Sequence, residues 1–401
     1  PTGCATDPDP GYDVVIYGGT AGGLVAAMSA ADAGASVLVL EPSGHIGGMV
    51  TGGLGRTDIG VGESIGGMAA DFYRRIKRHY EDSSAWKFQE RAAYHADQPR
   101  CLMDDKWWYH EPSVASQILA ELLDERGVQV LTNQRLTTID KPGARIRSIT
   151  VNNADVIRGR IFLDATYEGD LLAMAGVSYR VGREAKSEYG EEFAGVLPRE
   201  ISTRKQWDVD ISPYGNDGEL LFGVQDVERG EVGSGDRKVQ AYNYRICLTD
   251  HPDNRVAIEE PDNYDPSRYD LLARYIDARG DMPLIKQAKS WGVLNVGRLP
   301  NRKTDINDGG PFSTDFIGFN WDYPDGDVYR GVIADWYRFD ESRNQIAATI
   351  SSIGTNGYVD SKTSIPLERY GSHTLSMSAP MDGTYTFTLI GDAAGTMNAP
   401  A

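Results

Sequence analysis

Tyr12-Asp13-Val14-Val15-Ile16-Tyr17 runs into Gly18-Gly19-Thr20-Ala21-Gly22-Gly23, and then into Leu24-Val25-Ala26-Ala27-Met28-Ser29-Ala30-Ala31. A short turn later comes Ser36-Val37-Leu38-Val39-Leu40, ending in Glu41. The first apolar run is short, β-branched and aromatic, which reads as a buried strand. The Ala-rich run after the glycines is strongly helix-forming, and the next apolar run reads as a second strand. Strand, Gly-rich turn, helix, strand is the context that a dinucleotide fingerprint requires. Gly18 can turn tightly out of the strand. Thr20 would pass close to a pyrophosphate, and Gly23 would let the helix pack on the strand. The helix start, at Ala21 and Gly22, offers unpaired N–H groups and a positive dipole end to phosphates. Glu41 lies 18 residues past Gly23, where a carboxylate accepts hydrogen bonds from a ribose diol. The middle fingerprint position is Thr20 rather than glycine. An alternative register starts at Tyr17 and uses Gly19 and Gly22; the register from Gly18 is preferred because the strand runs through Tyr17. A bulky residue at Gly18 is expected to abolish cofactor binding and leave the fold largely intact.

Working outward, Pro42 to Asp58 is dense in glycine, at Gly44, Gly47, Gly48, Gly52, Gly53 and Gly55. Such a stretch is neither helix interior nor strand, so its backbone is expected to approach something closely. His45 reads as a cofactor-side residue or a turn residue. The stretches Tyr17-Gly-Gly-Thr20, Glu41-Pro-Ser-Gly-His-Ile-Gly-Gly-Met49 and Thr51-Gly-Gly-Leu-Gly-Arg-Thr-Asp58 resemble the bacterial FAD-dependent oxidoreductases with a Gly-Gly-Thr fingerprint, some of them described as xanthan-lyase-like. In that family a threonine at the middle position is usual. The resemblance implies FAD as cofactor, with Gly18 to Gly23, Glu41 and Pro42 around its adenosine diphosphate. Gly47, Gly48 and Met49 would lie along its pyrophosphate and ribityl chain.

The chain has 401 residues, enough for two or three domains or for one large α/β fold with an inserted subdomain. Its formal net charge of −18 argues against nucleic acid and anionic membrane surfaces as partners and leaves a small molecule. Cys4, Cys101 and Cys247 stand far apart, which argues against a zinc or iron–sulfur site and against a disulfide framework. No apolar run approaches membrane-span length. Residues 1–11, opening on Pro1, read as a disordered terminus, and the compartment, cytoplasmic or exported, is left open.

Further along, residues 67–80 read as an amphipathic helix with Met68, Phe72, Ile76 and Tyr80 on one face. Trp86, Trp107, Trp108 and Tyr109 read equally as a substrate-side cap or as buried structural aromatics. Glu111-Pro112-Ser113 opens a helix to about Glu125 that Gly127 ends. Val128 to Leu131 reads as a strand, and 135–160 as a small β-meander; the resemblance to flavoproteins implies that Val130, or a neighbour, offers its backbone to the adenine. Asp164-Ala-Thr-Tyr-Glu-Gly-Asp-Leu171 matches the family's segment; the resemblance places Ala165 to Glu168, Ala165 and Thr166 foremost, beside the flavin.

Val239 to Leu248 alternates like a strand of an inserted antiparallel sheet. Tyr264 to Tyr269 leads into a helix to about Arg279. Lys303-Thr-Asp-Ile-Asn307 and Phe312-Ser-Thr-Asp315 also resemble the family and read as pocket wall or as turn residues. Beyond about Asp340 the resemblance fades. Ile390-Gly-Asp-Ala-Ala-Gly395 reads either as the late flavoprotein turn, with Asp392 on the ribityl chain and a helix after it, or as part of a β-hairpin whose strand is 382–389.

The fold expected is therefore α/β. It comprises a Rossmann-like FAD-binding βαβ domain over 12–185, an inserted, mainly antiparallel β substrate or cap region over 186–340, and an uncertain segment over 341–401. The activity expected is flavin-mediated hydride or electron transfer on a small substrate, sugar-derived by family association. The alternative is a truncated, non-catalytic dinucleotide-fold protein or a scaffold fused to a carbohydrate-binding type module.

Overall fold

The structure, a computed structural model, describes residues 11–198, 209–222, 224, 230–237, 239–240, 247–256, 264–280 and 294–308, together with the backbone of six short strands between 317 and 398. In chain order the elements are β1 (Tyr12–Tyr17), α1 (Ala21–Asp32), β2 (Val37–Leu40), α2 (Gly67–Glu81), α3 (Arg91–Asp97), β3 (Leu102–Met103), β4 (Lys106–Trp107), α4 (Pro112–Asp124) and β5 (Gln129–Leu131). There follow β6 (Leu136–Asp140), β7 (Ser148–Val151), β8 (Asp155–Asp164), α5 (Asp170–Met174), α6 (Lys186–Tyr189), β9 (Val239–Gln240), α7 (Asp270–Arg279), β10 (Leu294–Arg298) and β11 (Thr304–Asp308). The remaining strands are β12 (Ile317–Asn320), β13 (Ile333–Ala334), β14 (Ile350–Ser352), β15 (Ser372–Ser378), β16 (Thr384–Ile390) and β17 (Thr396–Asn398).

A six-stranded sheet in the order β5-β2-β1-β8-β7-β6 carries the fold. β1 pairs in parallel with β2 on one side and with the second half of β8 on the other. The meander and the strand ending at Asp164 prove to be one piece. β8 is antiparallel to β7 over Asp155–Arg158 and parallel to β1 from Gly159 to Asp164.

The unbroken apolar runs of β1 and β2 follow from burial on both faces. Ile16, Val37 and Val39 face the helices, packing with Leu24, Met28, Ile118, Leu119 and Leu122. Val15, Tyr17, Leu38 and Leu40 face the other way, onto Ile149, Val151 and Leu171. α2 lies against α4, and Phe72, Ile76 and Tyr80 of its apolar face are buried; each such side chain contributes about 1.5–3 kcal/mol. Trp107 and Trp108 are fully buried in the same cluster, so these aromatics are core rather than a cap over a substrate.

In the second half, β10 and β11 form an antiparallel hairpin and β9 pairs antiparallel with β12. The strand expected over 239–248 covers Val239–Gln240. Residues 241–246 lie outside those described, and Cys247 and Leu248 run in irregular chain beside the hairpin. β16 is a strand as its alternation predicts, between β15 and β17. β17 stands at Thr396–Asn398, where the flavin reading of this segment expects a helix. Asp392 and 312–316 lie outside the described residues, as does Cys4.

Candidate cofactor site

β1 ends at Tyr17, and Gly18 turns the chain with φ +109°. A Cβ on Gly18 would sit 2.5 Å from Thr166 N and 2.6 Å from Ala165 C. The turn therefore crosses directly under the end of β8, and Ala165 N–H donates to Tyr17 O at 2.7 Å. This corrects the expectation that a side chain at Gly18 would spare the fold: it meets the chain's own backbone. Gly23 packs the helix onto the turn. Its Cβ would overlap Gly18 O and lie 2.9 Å from the Ala165 Cβ. These contacts fit the register from Gly18 through Thr20 to Gly23.

Thr20 has a local reason to be threonine. Its Oγ1 accepts from Gly23 N–H at 3.2 Å, capping α1, and donates to Ala165 O at 2.7 Å. One hydroxyl thus ties the helix start to β8. The Leu24 amide closes the first helical bond to Thr20 O. The Ala21 and Gly22 amides then have no acceptor among the described residues. Gly22 is exposed, and a Cβ there would meet only Thr20 Oγ1, at 3.9 Å. An exposed helix start of this kind favours an anion.

Glu41 follows β2 and is 7% exposed. Its Oε2 accepts from Gly19 N–H at 2.6 Å, and its Oε1 from Ser43 N–H at 2.7 Å. Burial pushes the carboxyl up from its ordinary value, and hydrogen bonding from the Ser43 amide and hydroxyl and from the Gly19 amide pulls it partly back. A carboxylate offers about four lone-pair sites. The amides take two of them.

The Gly-rich loop is zipped to the fingerprint turn. Gly47 N–H donates to Gly19 O at 2.7 Å, and Gly47 bridges Thr20 in parallel. Thr51 closes the loop from inside, its hydroxyl donating to Ile46 O at 2.6 Å. That proton is committed, so His45 Nε2–H donates to Thr51 Oγ1, at 2.6 Å. Burial holds His45 down to about 4, hence neutral.

Together these segments wall a cleft lined by Gly18, Thr20, Glu41, Pro42, His45, Gly48, Thr166, Tyr167 and Glu168. Gly19, Ala21, Gly22, Gly23, Gly47, Met49 and Ala165 belong to the same segments but stand behind or beside its lining. Val130 does not line it; it pairs with Val39 from β5, the edge strand of the sheet. Thr166 is fixed by Asp164, whose Oδ1 accepts from both its N–H and its hydroxyl.

The donor set fits the adenosine diphosphate half of FAD: free amides at a helix start, a fixed buried carboxylate and glycine walls. No group of three or more metal-ligating side chains occurs among the described residues, and no helix among them is long and apolar enough to cross a membrane.

The Lys303 motif does something else. Lys303 Nζ lies 3.2 Å from Glu111 Oε1, in a pair only 13% and 8% exposed. Glu111 Oε2 also accepts from Asn301 Nδ2 at 2.8 Å and Tyr80 Oη at 3.1 Å. Asp305 accepts from Arg56 N–H, and the Thr304 hydroxyl bonds the Leu248 backbone. These residues dock the β10–β11 hairpin on α2 and α4 and do not line the cleft. Sequence reading missed Glu111 and Asn301 in this role.

Against known proteins, the chain is 30% identical over 184 residues to the vinyl phenol reductase of Lactiplantibacillus plantarum. That alignment covers 39% of this chain and 37% of the relative, so the chain matches little more than a third of that protein's length. Similar solved structures include the L-proline dehydrogenase from P. horikoshii (17% identity, 43% of this chain and 58% of that one, TM-score 0.28). Another is the L-amino acid deaminase from Proteus myxofaciens (16% identity, 44% and 50%, TM-score 0.29). The description FAD dependent oxidoreductase matches residues 13–339, and the chain belongs to that family.

Proposed function

We propose that the chain holds FAD with its diphosphate on the α1 start and its adenosine ribose on Glu41. The contacts we assign are Gly18 to Gly23, Glu41, Pro42, Gly47, Gly48, Met49, Ala165 and Thr166 from the expected set, whose Val130 does not line the cleft and whose Asp392 lies outside the described residues; the cleft adds His45, Tyr167 and Glu168. The observation that carries this reading is the buried Glu41 carboxylate, fixed by two amides, lining one cleft with Gly18 and Thr20 of the turn from which α1 starts. Bound flavin supplies hydride or electron-pair transfer. The chain's own residues bind and orient it, and Glu41 selects against a ribose 2′-phosphate by charge repulsion.

The substrate is a small organic molecule. A sugar-derived alcohol comes from family association; reduction of a vinyl phenol comes from the curated relative's name. Titration with FAD, NAD and NADP tests the cofactor assignment, with FAD bound tightest; tighter binding of NADP would overturn it. Anaerobic bleaching of the flavin by sugar alcohols, against reoxidation of the reduced flavin by vinyl phenols, separates the substrate classes.

A further inference from the structure

Tyr167 stands across the cleft from the fingerprint turn, on the segment that follows β8. Its Oη accepts the Met49 amide at 3.0 Å. Gly48, one residue earlier, is left-handed at φ +53°, and a Cβ there would overlap the phenol oxygen and lie 3.0 Å from the ring carbon that bears it. The opposite edge of the same loop is held by Gly47 N–H on Gly19 O. The loop is thus gripped from two sides, by the fingerprint turn through Gly47 and by Tyr167 through Met49. Glycine at 48 is required twice, by its φ and by the phenol that fills the place of a side chain.

We infer that Tyr167 is a positioning residue of the cofactor site, whose phenol clamps the Gly47–Met49 backbone in the shape that receives FAD. The inference rests on the flavin reading of the cleft. With the clamp in place the loop is pre-organised and binding pays less to order it.

The test is a double-mutant cycle read by FAD dissociation constant and by amide hydrogen exchange of the loop. Tyr167→Phe removes one hydrogen bond and keeps the ring. It should weaken FAD binding roughly two- to tenfold, leave the apoprotein's thermal midpoint in place and speed exchange of the Met49 amide. Gly48→Ala should weaken FAD binding strongly in the wild type and at least about fivefold less in a Tyr167→Ala background, because the collision partner is gone. If Gly48→Ala alone does not fold, rescue of folding by Tyr167→Ala reads the same coupling. Equal cost of Gly48→Ala in both backgrounds, or unchanged FAD affinity in Tyr167→Phe, would overturn the inference. A wild type that takes up no FAD would refute the flavin reading instead. The exchange arm would still decide the clamp, since faster Met49 exchange in apo Tyr167→Phe supports it and unchanged exchange rejects it.

Discussion

At the scale of single residues, the fingerprint glycines divide their duties. Gly18 and Gly23 serve the fold, since side chains there meet backbone or Cβ of the crossing at Ala165. Gly18→Ala should therefore lower the urea midpoint of the apoprotein as well as FAD affinity; an apoprotein of unchanged stability would contradict the crossing. Thr20 is a cap and a tie. Thr20→Val loses both hydrogen bonds of its hydroxyl and should cost about 1–2 kcal/mol of unfolding free energy, whereas Thr20→Ser should cost little. Denaturant titration of the two variants distinguishes them. The Glu41 oxygens hold the Gly19 and Ser43 amides, and the ribose contact is a second, proposed role for the same carboxylate. The sequence showed an acid at the strand end; its burial against two amides depends on the path of the Pro42–Gly47 chain, which no local pattern encodes.

At the scale of elements, β1, α1, β2, α2 and α4 were legible because period and punctuation agreed. The apolar runs were continuous, Gly18 and Gly127 stood at the breaks, and Met68, Phe72, Ile76 and Tyr80 were spaced for one helical face. The fusion of meander and parallel sheet through β8 was not legible, since no local pattern in Asp155–Asp164 marks the change of partner at Gly159. The Lys303 motif was also opaque. Dense polar residues read as a pocket wall, but Lys303 answers a carboxylate 192 positions away in the chain (303 − 111). Lys303→Met would leave Glu111 buried with only the Tyr80 and Asn301 donors. It should destabilise by about 3 kcal/mol, the lower end for a broken buried pair. A urea midpoint equal to wild type would show that the pair does not hold the hairpin.

At the scale of the whole molecule, the buried His110 and the half-buried His45 set a pH dependence. Burial holds His45 and His110 down to about 4, against roughly 6.5 in an unfolded chain. Between those values the unfolded chain binds more protons, so stability rises with pH across roughly 4–6.5 and falls on acidification, by up to about 3 kcal/mol per histidine. Glu41, raised by burial, acts in the opposite sense as pH falls through its folded value. Unfolding free energy should accordingly be lower at pH 5 than at pH 7, and a flat profile would contradict neutral rings at both positions. The family assignment spans 13–339, and whether Asp392 joins the cofactor site is a proposal that an Asp392→Ala affinity measurement would address.

The most direct measurement is FAD binding to wild type and to Gly22→Asp, with thermal midpoints recorded for both. Gly22 is exposed and has open space where its side chain would stand. An aspartate in the first turn of α1 favours the helix dipole and repels a phosphate. Wild type should bind FAD, with flavin bands near roughly 375 and 450 nm. The variant should keep or raise its midpoint while losing at least about tenfold in affinity. Equal FAD affinity in the two proteins, or a colourless wild type that takes up no FAD, would contradict a diphosphate seated on the start of α1.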